Sequence, residues 1–423
     1  MNMRTSRWRS AWLRRPPHGG SHEQKSEPPS FGLATATDRT EGAMMREFGL
    51  GNRGVVRARE HFDWTLFLVS SMLAVVGVIN LYSATSAARA ALSDIYIQQI
   101  YWLVLGGIFA TVVSAIDYRH YERLGYLLYG VGIISLLLVF ILGKDIRGSS
   151  RWINIGSFSF QPSEFTKLFL IIALAKYLHD DPKSEGRTLS DLLVPAIITA
   201  VPTLLVLKQP DLGTALIHGL IFTTICLLTR IKWRSLLSLV VGSGVAFPLV
   251  WTYGMKEYQK KRIVTFLNPE ENLLGSGWHA HHARVAIGAG GVTGQGFMKG
   301  TQNQFHFLPD QHSDFPFAVY AEDWGFLGGF FLVFLYAFLV LWAIRVASSA
   351  KDRFGAVLAI GCGALIFWHA IFNLGMVTGL LPVVGVTLPL FSAGGSSVLT
   401  IMMAIGLLMN VSMRRNAPTG ALS

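Results

Sequence analysis

Apolar runs of about 20 residues, each long enough to cross the hydrocarbon core of a bilayer as a helix, recur along this chain. They constrain its fold more than any other feature. Hydrophobic residues make up 51% of the 423 residues and only 14% are charged, whereas soluble domains carry roughly 25% charged residues. Because strand-like alternation is absent, we predict an all-α, polytopic integral membrane protein and exclude an outer-membrane barrel.

About ten transmembrane helices can be drawn from these runs. Their approximate ranges are 64–84, 97–116, 122–142, 163–180, 191–207, 211–229, 235–253, 315–344, 354–377 and 387–412. The eighth is long enough to be tilted, or broken near Gly325 or Gly328–Gly329. One long polar segment, about 254–314, separates the seventh helix from the eighth.

The placement of Arg and Lys predicts the orientation, because basic residues favour the cytoplasmic side of a membrane. Short loops on one side carry Arg119, Arg123, Lys183, Arg187, Arg230, Lys232, Arg234, Arg345, Lys351, Arg353, Arg414 and Arg415. The eleven Arg and Lys of residues 1–60 join this richer side. We therefore expect both termini in the cytoplasm and the loop of about 254–314 outside it, since long loops translocate largely regardless of charge.

Three regions follow from this layout. We predict a basic, disordered cytoplasmic tail at 1–60, a ten-helix membrane domain at 61–413 and a cytoplasmic C-terminal tail at 414–423. No folded unit or aromatic–basic interleaving accompanies the basic tail, so we expect contact with anionic membrane lipids and no nucleic-acid partner. The tail also lacks the apolar core of a signal peptide. Cys226 and Cys362 lie in apolar runs and are expected to be buried.

A carboxylate, Asp314, lies where the polar segment meets the eighth helix. Acidic groups at a membrane are costly to desolvate, which favours a functional role. An ionised carboxylate there can take a proton from a sugar hydroxyl as a general base. Alternatively, Ser313 or Asp314 caps the helix, with Pro316 in its first turn. The residues alone leave both interpretations open.

Glu322 follows Asp314 by eight residues, about 12 Å along a helix. Paired glycosidase carboxylates are about 5–9.5 Å apart. We therefore predict a structural role for Glu322 inside the bundle rather than an acid–base partnership with Asp314.

Further polar groups lie at predicted helix starts. Glu164 and Lys167 share a helix face and form either a local ion pair or, as we favour, a polar wall of a substrate cavity. In the segment KQPDLG, Lys208 can attract a pyrophosphate as a point charge. Asp211 either caps the next helix, the favoured role, or helps to hold a divalent cation.

The long polar segment supplies cations, glycines and histidines. Arg262 and Arg284 are candidates for phosphate neutralisation. The glycines within 286–296 allow close backbone approach to a ligand, but their spacing does not match a dinucleotide fingerprint. His279, His281, His282, His306 and His312 lack the spacing and the cysteines of common zinc sites, so no metal site is predicted with certainty.

The motifs together resemble the RodA/FtsW (SEDS) family of peptidoglycan glycosyltransferases, especially its RodA branch, over nearly all of the chain after about residue 60. The matching sequence motifs are an Arg-Trp pair at 151–152, QPSE at 161–164, QPDLGT at 209–214, Arg-x-x-x-Phe-Leu-x-Pro at 262–269, His-x-Asp at 312–314 and GLLPVVGVTLPLFSAGGSS at 379–397. Prolines and glycines in the last segment predict interrupted helices, which are tolerated where protein or a cavity satisfies the backbone. We expect a structural role for Ser397.

The resemblance implies a polymerase that joins lipid II, a polyprenyl-pyrophosphate disaccharide-pentapeptide, into β-1,4-linked glycan strands during cell elongation, and so serves cell shape and cell wall biogenesis. Asp314 is then the general base, and the substrate-binding residues are Lys208, Arg262, Arg284, His312, Glu164, Lys167 and Asp211. Implied partners are a class B penicillin-binding protein transpeptidase and other elongasome membrane proteins. Mg²⁺ or Mn²⁺ is the candidate cofactor. The resemblance also implies the inner (plasma) membrane, with an extracytoplasmic active site.

Three alternatives stay open. An FtsW-like polymerase would act in division instead. A lipid II flippase without catalysis would need charged groups through the whole bilayer depth, whereas these cluster at the outer face. His218 and His369 are mid-span exceptions that we interpret as core histidines. A scaffold for partner proteins would leave Asp314 as a cap and make Asp314→Asn harmless.

Overall fold

The computed structural model describes residues 62–86, 94–146, 149–155, 158–181, 183, 186–229, 231–268, 276–305 and 311–415. The predicted tail at 1–60 lies outside these residues, as do positions 416–423 of the C-terminal tail. Arg147, Arg230, Pro269 and His306 lie outside them as well.

The described residues form fourteen α-helices. In chain order they are α1 (Trp64–Ser86), α2 (Ile95–Ala115), α3 (Tyr118–Arg123), α4 (Gly125–Leu142), α5 (Pro162–Asp180), α6 (Leu189–Lys208), α7 (Leu212–Leu228), α8 (Trp233–Leu249), α9 (Glu257–Leu267), α10 (Ser276–Gly290), α11 (Thr301–Gln304), α12 (Pro316–Ser348), α13 (Arg353–Thr378) and α14 (Gly395–Arg414). A π-helical turn, Val250–Gly254, extends α8.

Each of the ten predicted spans overlaps one of these helices. In the described part of the chain, seven are long and apolar enough to cross a membrane: α1, α2, α4, α6, α12, α13 and α14. Helix α7 is apolar but has 17 residues. The all-α polytopic class is confirmed, whereas the count of ten crossings and the orientation of the bundle stay predictions.

Short strands were not predicted, yet three lie between α4 and α5: β1 (Lys144–Ile146), β2 (Ser149–Ile155) and β3 (Phe158–Phe160). They form antiparallel pairs in the order β1-β2-β3, with Lys144 opposite Trp152 and Ile153 opposite Phe160. Paired strands satisfy backbone groups that a loop would leave open.

Helices α13 and α14 lie in the interior of the bundle. Their most apolar stretches are 72% and 83% buried, against 22% for α2 and α4. Helix α13 packs against α5, α7 and α12, and α14 packs against α2. A Cβ at Gly406 of α14 would lie 2.7 Å from the carbonyl oxygen of Ala110, so glycine permits this close approach of two helices. Cys226 and Cys362 are buried and free, as predicted.

The predicted break of the eighth span occurs at Gly325, where φ is 65° and ψ is −161°. The N–H groups of Phe326 and Leu327 bond to the carbonyls of 291–292, at 2.9 and 3.1 Å. In return, the N–H groups of 295–296 bond to carbonyls of α12 just before the break, at 3.0 and 3.1 Å. The glycine-rich segment after α10 therefore satisfies the backbone groups that the break releases.

Residues 382–394 form a non-helical segment between α13 and α14, which we call the re-entrant segment and in which residues 388–392 are buried. The predicted start of the tenth span at residue 387 is therefore wrong, because α14 begins at Gly395. Pro389 cannot donate a helical hydrogen bond. Its carbonyl accepts a bond from the Tyr336 hydroxyl at 2.6 Å, and the carbonyl of Ser392 accepts one from Gln99 at 3.2 Å.

Candidate active site

Asp314 lies two residues before the first residue of α12. The N-cap position falls on Phe315, which makes no side-chain cap hydrogen bond, and Pro316 occupies the first turn. The N-cap position thus falls one residue after Asp314, and the interpretation of Ser313 or Asp314 as a capping side chain stays a prediction. Asp314 is partly exposed, whereas residues 315–320 are buried. It thus lies at the boundary between the accessible surface and the interior of the bundle.

Asn373 of α13 holds the backbone around Asp314. Its side-chain nitrogen donates to the Asp314 carbonyl at 3.0 Å and to the Val386 carbonyl at 2.8 Å. On the other side, the carbonyl of His312 accepts a bond from the Ala393 N–H at 2.9 Å. The turn 311–315, which we call the Asp314 turn, is thus attached both to α13 and to the re-entrant segment.

Arg262 of α9 and Arg284 of α10 line one cavity of about 220 Å³, the arginine cavity. Its other lining residues are Thr265, Phe266, Gly277, Ala280, Met376, Gly379, Leu381, Pro382 and Val383. Among the described residues, the two cations therefore face mainly apolar groups, and none of the lining residues is acidic. Such a site suits an anionic group that is attached to an apolar chain.

Gly379 makes room for one of these arginines. It ends α13 in the left-handed conformation, with φ 78°. A Cβ there would lie 3.0 Å from Cδ of Arg284, whose Nε donates to the Ala280 carbonyl at 3.3 Å. The end of α13 therefore helps to set where the Arg284 side chain lies.

Asp211 caps α7, as predicted, by accepting bonds from the Thr214 N–H at 3.2 Å and the Thr214 hydroxyl at 3.0 Å. Its carboxylate also accepts from Gln161 at 3.1 Å and lies 3.7 Å from the Arg151 guanidinium. Lys208 is exposed at the end of α6 and does not line the arginine cavity. The structure thus does not bring Lys208 together with the two arginines in that cavity.

Glu164 and Lys167 form a local ion pair, the alternative that we did not favour, with 2.8 Å between Oε1 and Nζ. Lys167 is 0% exposed and Glu164 is 7% exposed. Lys167 Nζ also lies 2.9 Å from Nε2 of His369, whose Nδ1 lies 3.1 Å from the Thr387 carbonyl. The pair is therefore buried among α5, α13 and the re-entrant segment rather than lining the arginine cavity.

Two further predicted residues have structural contacts. Ser397 lies 2.7 Å from the Thr387 hydroxyl, so it ties the start of α14 to the re-entrant segment. Glu322 is fully buried and accepts bonds from the backbone N–H groups of Gln302 at 2.9 Å and Asn303 at 3.3 Å. These contacts agree with the structural roles expected for both residues.

Of the α10 histidines, His282 has protein contacts. His282 lies 3.1 Å from the Gln302 side chain and packs on Trp278, with ring centroids 4.1 Å apart. His281 is exposed, and the side chain of His279 is outside the described set. In the described part of the chain, no group of three or more His, Cys, Asp or Glu residues could hold a metal ion.

Comparison with known proteins identifies the family. A protein-family model described as "Cell cycle protein" (FtsW/RodA/SpoVE) matches residues 63–417. Peptidoglycan glycosyltransferase MrdB of Escherichia coli (strain K12) is 35% identical over 357 residues, covering 84% of this chain and 94% of that protein. The probable peptidoglycan glycosyltransferase FtsW of Trichlorobacter lovleyi is 39% identical over 360 residues, covering 83% and 93%.

Solved structures similar to this chain support the same family. A chain from "Structural coordination of polymerization and crosslinking by a peptidoglycan synthase complex" has a TM-score of 0.72 and 30% identity, covering 84% of this chain and 99% of that one. The rod shape determining protein RodA of Thermus thermophilus has a TM-score of 0.63 and 28% identity, covering 84% and 98%. The chain therefore belongs to the FtsW/RodA/SpoVE family of polytopic membrane proteins.

Proposed function

We propose that this chain is a peptidoglycan glycosyltransferase that polymerises lipid II, with Asp314 as its general base. Curated relatives that cover most of the chain carry the name peptidoglycan glycosyltransferase. The structural observation that carries the proposal is the placement of Asp314, partly exposed at the start of an apolar 33-residue helix. A substrate whose lipid tail stays in the bilayer presents its sugar and pyrophosphate at such a boundary.

The proposed step is an inverting displacement. Asp314 takes the proton of the acceptor's sugar 4-hydroxyl as the oxygen bonds to the donor's anomeric carbon. The bond from that carbon to the pyrophosphate oxygen breaks, and the polyprenyl pyrophosphate leaves with the bonding electrons. The α-linkage thereby becomes a β-1,4 linkage. Asp314 then releases its proton to water.

The arginine cavity is the proposed site for the pyrophosphate. Arg262 and Arg284 supply positive charge where negative charge accumulates on the leaving group. The apolar remainder of the lining suits the adjoining lipid chain.

The other predicted substrate-binding residues receive different roles. The contacts of Asp211, and of Glu164 with Lys167, support roles in shaping the bundle rather than in touching the substrate. Lys208 is exposed and remains a candidate for attracting a second anionic group. His312, two residues before Asp314 in the same turn, remains a candidate for orienting the acceptor.

A divalent cation would depend on the substrate. Mg²⁺ is usually held by one or two carboxylates together with phosphate oxygens. Among the described residues no cluster of three His, Cys, Asp or Glu side chains could hold the ion, so pyrophosphate oxygens would supply most of the ligands of a bound Mg²⁺ or Mn²⁺.

We also propose a location and partners. The loop charges support cytoplasmic termini and an extracytoplasmic active site in the inner (plasma) membrane. Cross-linking of the glycan would require a class B penicillin-binding protein transpeptidase, and elongasome membrane proteins would position the pair. Cysteine labelling from outside intact cells at Ser313→Cys, with Ser349→Cys as the control, tests the orientation. Labelling at 349 alone would contradict it.

A role in elongation rather than division is proposed because the sequence GTQNQFHFLPDQHSDF resembles the RodA branch more than the FtsW branch. Complementation tests it. The chain should restore rod shape to cells depleted of their elongation polymerase and should not rescue cells depleted of their division polymerase. Rescue of the second strain alone would assign the chain to division.

The decisive experiment measures glycan polymer formed from purified lipid II by this protein with its penicillin-binding partner. Asp314→Asn keeps the shape of the side chain and should abolish the polymer, whereas the neighbouring Ser313→Ala should not. Equal polymer from Asp314→Asn would remove the general-base assignment. No polymer from wild type, together with lipid II translocation in vesicles, would support a flippase instead.

A matched pair tests the arginine cavity. Arg284→Gln should raise KM for lipid II, because it removes a cation from the cavity lining. Lys261→Gln removes the same charge from an exposed position on α9 outside that lining and should leave KM unchanged. An equal rise in both variants would indicate a general electrostatic effect rather than a pyrophosphate site.

A further inference from the structure

A directed chain of hydrogen bonds connects α5 to the re-entrant segment through α13. A lysine ammonium only donates hydrogen bonds. Lys167 therefore donates to Glu164 at 2.8 Å and to Nε2 of His369 at 2.9 Å. Nε2 must be the acceptor, so the proton of a neutral imidazole lies on Nδ1, which donates to the Thr387 carbonyl at 3.1 Å. The contacts thus fix one tautomer of His369.

Asn373 makes the second connection from the same helix. It follows His369 by four residues, so the two side chains share one face of α13. Asn373 is 0% exposed, and His369 is 2% exposed. The two N–H bonds of the Asn373 amide go to the carbonyls of Val386 and Asp314. One helix face therefore holds two adjacent residues of the re-entrant segment, Val386 and Thr387, together with the Asp314 turn.

We propose that His369 and Asn373 are positioning residues, which fix Asp314 relative to the re-entrant segment and the Glu164–Lys167 pair. The proposal rests on the proposed function for its link to catalysis, but not for the structural link itself. His369 acts as one donor and one acceptor and does not exchange protons during turnover. Among the described ionisable groups, Lys167 of α5 contacts His369 directly and Glu164 pairs with that lysine, while His218 of α7 lies 3.3 Å from Thr166 of α5.

Glutamine tests this assignment, because its side chain also offers one acceptor oxygen and a donor nitrogen. His369→Gln should keep kcat within about threefold of wild type and leave the pH dependence of kcat unchanged. His369→Leu and Asn373→Asp should each lower kcat by on the order of 10- to 100-fold, as expected for misplaced catalytic groups. KM for lipid II should change little, because neither residue lines the arginine cavity.

Amide hydrogen exchange gives a readout that does not depend on activity. Peptides covering 382–394 should lose protection in His369→Leu and Asn373→Asp and keep it in His369→Gln. Rates are expressed per folded molecule, using the monodisperse fraction in detergent, so that reduced folding alone does not lower kcat.

Several outcomes would overturn the inference. A flattened pH profile or a large loss of kcat in His369→Gln would assign His369 to proton transfer. Wild-type kcat and exchange in His369→Leu would remove the positioning role while leaving polymerisation intact. If wild type itself makes no polymer, the proposed function fails, and the exchange data still decide whether α13 holds the re-entrant segment.

Discussion

Gly379→Ala connects a backbone conformation to substrate binding. Gly379 has φ 78°, and a Cβ there would approach Cδ of Arg284 to 3.0 Å and its Nε to 3.5 Å. Alanine should therefore strain the end of α13 and push Arg284 within the arginine cavity. We expect both a loss of stability and a weaker interaction with lipid II.

The two effects have different sizes. An alanine in the left-handed region costs about 1–2 kcal/mol. Losing a hydrogen bond to a charged group costs about 1.5–3 kcal/mol, which corresponds to roughly 10- to 150-fold in binding because each 1.4 kcal/mol is tenfold. Since the Arg284 side chain is exposed and can give way, Gly379→Ala should cause only part of that loss, roughly a threefold to tenfold rise in KM.

Gly385 provides the matched control. Its φ is 74°, but a Cβ there would meet nothing within 4 Å. Gly385→Ala should therefore show a similar fall in the thermal unfolding midpoint without the rise in KM. Polymerisation kinetics with lipid II and unfolding in detergent measure the two quantities. An unchanged KM in Gly379→Ala, or an equal rise in both variants, would refute the link between Gly379 and Arg284.

Three other predictions concern stability, each measured by unfolding in detergent. Gly325→Ala should prevent normal folding, because a Cβ there would collide with the backbone of Val292 and Gly294, whereas Gly288→Ala, with nothing within 4 Å, should be tolerated. Lys167→Met should cost about 3–5 kcal/mol by leaving the Glu164 carboxylate unpaired, and adding Glu164→Gln should recover part of this. The pKa of Tyr118 is raised mainly by burial and next by the 2.6 Å hydrogen bond that its hydroxyl donates to Asp352. The contribution of Tyr118 to folding stability is present below its unfolded pKa of about 10 and is lost as pH rises through its folded pKa. Tyr118→Phe should therefore weaken the dependence of stability on pH in the alkaline range.

Local patterns were sufficient for the class of fold and for most helices. Long apolar runs, the break at Gly325 and the Asp211 cap all depend on residues within a few positions of one another, as does the shared helix face of Glu164 and Lys167. Each could be predicted because the physical cause lies in neighbouring sequence: hydrophobic length, glycine conformation, capping chemistry and helical spacing.

Contacts between distant segments could not be predicted in the same way. Asn373 is 59 residues from Asp314, and His369 is 202 residues from Lys167. Both lie in a strongly apolar helix, where a single polar residue does not reveal its partner. The predicted start of α14 is wrong for a related reason. Residues 387–394 are as apolar as a membrane span, but their backbone groups bond to other segments and do not continue the helix.

The depth of the charged groups bears on the choice between polymerase and flippase. In every helix that overlaps a predicted span, each Asp, Glu, Lys and Arg lies within eight residues of one helix end. Along α5, Lys167 and Lys176 are nine residues apart, about 13 Å on a helix. A carrier for a charged headgroup needs polar contacts through the membrane, because an unpaired charge in hydrocarbon is costly. Two polar layers separated by apolar turns instead suit chemistry at one face, where Asp314 and the arginine cavity lie against the same end of α13.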